Sequence, residues 1–186
     1  KLPAALAYAR ANRLDANVFG RDDTAAGGEP ARLGIVTTGK SWLDVMQALA
    51  DLGIDDATAK RIGLKVLKVT MPWPLEPEGV REFCDGTEEV LVIEEKRSLI
   101  EAQLKEQLYG LSERPRVLGK LDAAGAPLIP ESGEISPAFC ARVIAARLRA
   151  LAQAPDAQAQ SRRGVVEAAV LARAQAHLAM LDAKQR

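Results

Sequence analysis

Four short runs of β-branched and apolar residues, at 33–37, 64–69, 90–93 and 116–118, alternate along this chain with helical patterns. Few folds accept that order. Parallel neighbours need a long crossover between them, usually a helix, and the crossover is right-handed, so helices come to lie on both faces of the sheet. The first crossover, 42–52, places Trp42, Val45, Met46, Leu49 and Leu52 on one face, with Ser41 expected to cap it and Gly53 to end it. Residues 64–69 alternate apolar and basic side chains as a second strand, 71–77 is a Pro-rich turn, and 78–84 is a brief helix. Residues 99–109 hold Leu99, Ile100, Gln103, Leu104 and Leu108 in helical register. The expected architecture is α/β: three-layer, doubly wound, with a mainly parallel sheet.

The flanks are helical. Residues 2–14 read as an amphipathic helix with Leu2, Leu6, Ala9 and Leu14 on its apolar side and Pro3 in its first turn. The Asp, Gly and Pro content of 21–30 makes a loop, and Val18 and Phe19 before it form at most an edge strand. Pro137, behind Ser136, starts a helix whose stripe is Phe139, Cys140, Val143, Ile144, Leu148 and Leu151. After a linker near Pro155 comes an Ala-rich helix at 163–181. The expected division is a linker helix and loop at 1–30, an α/β domain at 31–153 and a linker helix at 154–186. The terminal helices are expected to be peripheral, and the first and last to be able to pair. Lys1 and Arg186 both fall inside helical patterns, as at the edges of a piece of a longer polypeptide.

Acidic and basic residues balance at 25 each, which removes the net field that draws a protein to nucleic acid or an anionic membrane. Cys84 and Cys140 stand far apart with no CxxC spacing. That opposes a metal site or a disulfide framework and suits a reducing cytoplasm. No apolar run approaches the roughly 20 residues of a membrane-spanning helix.

One motif is tempting. Residues 34–41 satisfy the phosphate-binding string G-x-x-x-x-G-K-[ST]. A phosphate-wrapping loop needs an apolar strand ahead of its first glycine, whereas here Glu29-Pro30-Ala31-Arg32 precedes and the strand occupies the loop positions. The chain would turn within Thr38, Gly39 and Lys40, too few amides to encircle a triphosphate. The milder reading puts Thr38, Gly39, Lys40 and Ser41 at the carboxyl end of a parallel strand and at a helix N-terminus, a place that takes anions. Glu94, Glu95 and Lys96 would face the same crevice if the two strands are neighbours. Equally, Gly39 turns, Ser41 caps and the charges meet water or another domain.

The runs GIVTTGKSWLDV (34–45), KVTMPWPLEP (68–77), VIEEKR (92–97), RVLGK (116–120) and IPESGEISP (129–137) together resemble the 2-oxoacid:ferredoxin oxidoreductases, above all the fused indolepyruvate type. The resemblance covers 33–148. It implies a transketolase C-terminal-like domain, with a five-stranded sheet in which one edge strand runs against the others; Val18 and Phe19 are the candidates for that strand. It further implies a parent enzyme that oxidises aryl 2-oxoacids to acyl-CoA with thiamine diphosphate, magnesium and iron–sulfur clusters, passing electrons to ferredoxin. No Gly-Asp-Gly thiamine diphosphate motif and no cluster-binding cysteine pattern occurs here. The resemblance therefore implies a non-catalytic structural and assembly domain, whose partners are other domains or subunits and which binds no cofactor itself. A homo-oligomer fits its docking faces. The rival readings are a regulatory anion- or coenzyme-binding domain and a P-loop-like nucleotide-binding enzyme.

The remaining chemical residues read as structural. His177, the only histidine, sits on the Ala-rich helix without a partner for catalysis. Cys84 and Cys140 fall at apolar helix positions. Trp42 begins an apolar stripe, while Trp73, between Pro72 and Pro74, is either an interface anchor or a plug over the sheet edge.

Overall fold

A computed structural model describes residues 1–20, 31–153 and 160–183. Its strands are β1 (Ala16–Phe19), β2 (Leu33–Thr38), β3 (Leu64–Val69), β4 (Glu89–Ile93) and β5 (Arg116–Leu118). They form one sheet in the order β1-β3-β2-β4-β5. β2 pairs in parallel with both β3 and β4, and β4 with β5. β1 runs antiparallel along β3 and is irregular between Asn17 and Phe19. The helices are α1 (Leu2–Ala11), α2 (Gly39–Asp51), α3 (Asp56–Ile62), α4 (Pro77–Cys84), α5 (Ile100–Leu108), α6 (Pro137–Gln153) and α7 (Gln160–Ala183). Among the described residues, no helix is long and apolar enough to cross a membrane.

The central strands β2 and β4 read as nearly continuous apolar runs because both faces are covered. Leu33, Ile35, Leu64, Val66, Leu91 and Ile93 point into one core with α2, α3, α6 and α7. Val36, Leu67, Val69, Val90 and Val92 point into the other, with α4 and α5. This is the three-layer, mainly parallel α/β architecture expected.

The last helix is less peripheral than its composition suggested. Val170 and Ala174 are buried in the first core, so α7 belongs to that layer. α1 is tied to the other side of the molecule, where Arg10 pairs with Glu76 and Glu78. The loop expected at 21–30 and the linker near Pro155 lie outside the described residues.

Helix α3 was not foreseen. Asp55 caps it by accepting from Thr58 N at 2.7 Å, and Gly63, at φ +70°, ends it.

At the first βα corner, β2 extends through Thr38 and α2 begins at Gly39, leaving no phosphate-wrapping loop. Gly34 has a packing reason: a Cβ there would sit 2.9 Å from the Phe83 ring. Ser41 is not the cap of α2. Gly39 turns the chain within one residue at φ +54°, so the helix starts before Ser41, which is buried in its first turn. The N-cap residue is Thr38, and its hydroxyl donates to Val69 O at 2.7 Å instead of capping.

Candidate functional site: a crevice at the carboxyl ends of β2 and β4

From β2 the chain crosses one face through α2 and α3 to β3, then returns across the other face through α4 to β4 on the far side of β2. The winding reverses there, and the carboxyl ends of β2 and β4 part to leave a crevice. Its volume is about 380 Å³, and it is lined by Thr38, Gly39, Lys40, Ser41, Glu94 and Glu95 together with Pro72, Lys96, Arg97 and Leu99. All seven residues placed here from the sequence, Lys96 included, thus meet in one place. Pro72, Arg97 and Leu99 were not anticipated there. Only their position just beyond the strand ends could have signalled them.

The acidic residues are already engaged by the fold. Glu94 is 4% exposed, and its carboxylate accepts from Leu99 N at 3.0 Å, Ile100 N at 2.9 Å and Glu101 N at 3.0 Å. It is the anion at the N-terminus of α5. Glu95 accepts from Lys40 Nζ at 3.3 Å and from Ile135 N at 3.3 Å. Lys40 also donates to Asp44 at 2.9 Å and to Ile135 O at 2.6 Å. Its ammonium is held above its ordinary pKa, first by the Asp44 hydrogen bond and also by Glu95. The lysine that a phosphate loop would aim at a nucleotide instead braces α2 against two other segments. By contrast, Lys96 and Arg97 are exposed and have no hydrogen-bond or ion-pair partner among the described residues.

Behind the crevice lies a second fastened group. Lys120 Nζ donates to Glu94 O at 2.6 Å and Pro130 O at 3.3 Å, and burial pushes its pKa down. Glu101 accepts from Lys120 N at 2.9 Å and from Lys105 at 2.6 Å. A Cβ on Gly119 would lie 2.3 Å from the Glu101 carboxylate, so a larger residue there would have to displace that carboxylate from Lys120 N.

The other candidates are placed clearly. Cys84 and Cys140 are buried on opposite faces of the sheet, and burial pushes both thiols up to about 12. Two neutral thiols separated by a sheet do not fit the ligand set of one iron–sulfur cluster. No cluster of three or more metal-binding side chains occurs among the described residues, and nothing in the crevice fits the metal site of thiamine diphosphate. His177 Nε2 is 3.7 Å from Asp51 and makes no hydrogen bond. Trp42 packs against the first core, with Lys68 over its ring at 5.6 Å. Trp73 is 60% exposed, so it is not a plug.

Against known proteins, the chain is 36% identical over 94 residues to the indolepyruvate oxidoreductase subunit IorA of Thermococcus kodakarensis, covering 50% of this chain and 13% of that protein. The corresponding subunit of Pyrococcus horikoshii is 38% identical over 79 residues, covering 42% of this chain and 11% of that protein. The chain therefore spans only a small part of the curated relatives it matches. Among solved structures, a 2-oxoglutarate:ferredoxin oxidoreductase from Magnetococcus marinus aligns with a TM-score of 0.42 at 22% identity, over 69% of this chain and 19% of that one. A split-gene transketolase aligns at 0.39 and 18% identity, over 86% of this chain and 43% of that one. The sequence profile of the indolepyruvate oxidoreductase domain matches residues 23–172, most of the chain. On that match the chain belongs to the indolepyruvate oxidoreductase domain family.

Proposed function

We propose that this chain is a structural and assembly domain of an indolepyruvate-type 2-oxoacid:ferredoxin oxidoreductase, and that the catalytic groups reside elsewhere in the enzyme. The observation that carries this reading is the use of Lys40, Glu94 and Glu95. Each of these three charged groups joins one element of the fold to another. A general acid or base needs a free proton-transfer position facing a substrate, and these side chains face amides, carbonyls and one another. Thiamine diphosphate, magnesium and iron–sulfur clusters then belong to other parts of the enzyme, as do the sites for coenzyme A and ferredoxin.

The test is indolepyruvate-dependent dye reduction with coenzyme A, thiamine diphosphate and magnesium supplied. The intact enzyme is expected to turn over and this chain alone to be inactive. Turnover by the isolated chain refutes the reading.

One observation favours a second reading, a regulatory anion- or coenzyme-binding crevice formed by Thr38, Gly39, Lys40, Ser41, Glu94 and Glu95. The first-turn amides of α2 have no side-chain cap where they meet the crevice. Calorimetric titration with coenzyme A and with inorganic pyrophosphate separates the two readings, since saturable micromolar binding belongs only to the second.

A further inference from the structure

Trp73 stands in solvent on a loop that is fastened at both ends. At its start, the Asp15 carboxylate accepts from Thr70 N at 2.7 Å and Met71 N at 3.3 Å. Beyond it, Gln103 donates to Pro72 O at 2.8 Å and accepts from Leu75 N at 2.8 Å, while Gln107 donates to Leu75 O at 3.0 Å. Prolines on either side restrict the backbone further. A large ring held out by so fixed a loop loses little freedom on contact, and the ordering cost that usually offsets association is small. Tryptophan is also enriched among the few residues that carry most of the binding energy of an interface.

The crevice that begins at its neighbour carries charge of a definite sign. Pro72, the neighbour of Trp73, lines the same crevice as Lys96 and Arg97. The nearby carboxylates of Glu94 and Glu95 are engaged within the fold, and Lys96 and Arg97 have no counter-ion among the described residues.

We infer that Trp73, Lys96 and Arg97 form a docking surface for another part of the oxidoreductase, one that offers an apolar pocket to the indole and carboxylates to the two cations. This rests on the assembly reading above. The proportions of the relatives point the same way. The matched segment is 13% of the Thermococcus subunit, so in that protein it is part of a much longer polypeptide.

The experiment is hydroxyl-radical footprinting of Trp73, in the isolated chain and in the intact oxidoreductase that carries it. Ready labelling is expected in the isolated chain at every protein concentration, with loss of labelling in the intact enzyme. The double variant Lys96→Glu/Arg97→Glu is expected to restore labelling in the intact enzyme and to leave the melting temperature of the isolated chain unchanged. Equal labelling in both contexts overturns the inference. So does protection that appears in the isolated chain on concentration, which assigns the surface to a second copy, or on adding pyrophosphate, which assigns it to a small anion. Protection that survives charge reversal overturns the role given to the cations. An enzyme that turns over with Trp73 fully labelled removes this inference and leaves the functional reading intact. Turnover by the isolated chain removes the functional reading whatever the footprint.

Discussion

Removing the Glu94 carboxylate strips three amides in the first turn of α5 of their acceptor, at a position only 4% exposed. A lost N-cap typically costs about 1 kcal/mol, and a hydrogen bond to a charged acceptor contributes about 1.5–3 kcal/mol. Three bonds to one carboxylate do not add, and water can enter the space left behind. Glu94→Ala is therefore expected to cost about 3–5 kcal/mol. Glu94→Gln keeps one acceptor oxygen but turns an NH2 group toward the remaining amide, and about 2 kcal/mol is expected. A loss of about 3 kcal/mol in a domain this long lowers the melting temperature by roughly 6–12 °C. Urea unfolding with linear extrapolation reads the first quantity and calorimetry the second. If Glu94→Ala unfolds within about 0.5 kcal/mol of the parent, the carboxylate does not hold the helix and is free for a ligand, and the reasoning fails.

Three further outcomes follow from other contacts. Glu89 is fully buried and held by Arg147 at 2.7 and 2.8 Å; Arg147→Met should cost about 3–5 kcal/mol in urea unfolding, and Glu89→Leu with Arg147→Met should recover most of it. Gly34→Ala forces a methyl group against Phe83 and should cost about 1–3 kcal/mol by thermal melting; if Phe83→Leu does not partly relieve it, the clash is not the cause. Burial lifts the Asp15 carboxyl above its ordinary 3.8, so its contribution to stability is full below that pH and declines as pH rises through the raised value. Asp15→Asn keeps the acceptor for Thr70 and Met71 and should gain on the parent as pH rises through this range; a pH-independent difference in unfolding free energy refutes the assignment.

The sheet was readable because a strand buried on both faces must be largely apolar, and 33–37 and 90–93 satisfy that without help from context, whereas 64–69 keeps Lys65 and Lys68 and 116–118 opens on Arg116. The P-loop spelling was resolved by the same rule, since a strand that includes Gly34 leaves no loop. What escaped was set by contacts distant in sequence or by weak local contrast. α3 is short and largely polar, and its sign was the Asp55 cap three residues before Thr58. Ala-rich α7 shows little amphipathic contrast, so its burial through Val170 and Ala174 becomes visible only once α6 and α3 are in place. Glu94 and Glu95 line the crevice, but their engagement depends on amides 5 to 7 residues onward at the start of α5 and on Ile135, 40 residues away. Strand-end carboxylates carry no periodic mark of such a role.

The burial of α7 bears on where this domain can be cut. Sequence similarity stops at 172, inside a helix that continues to Ala183, and Ala174 of the core lies beyond that point. A protein trimmed to the similarity boundary would lose the second half of the helix and leave α6 partly bare. Its poor solubility would reflect the position of the scissors and say nothing about whether the domain can stand by itself.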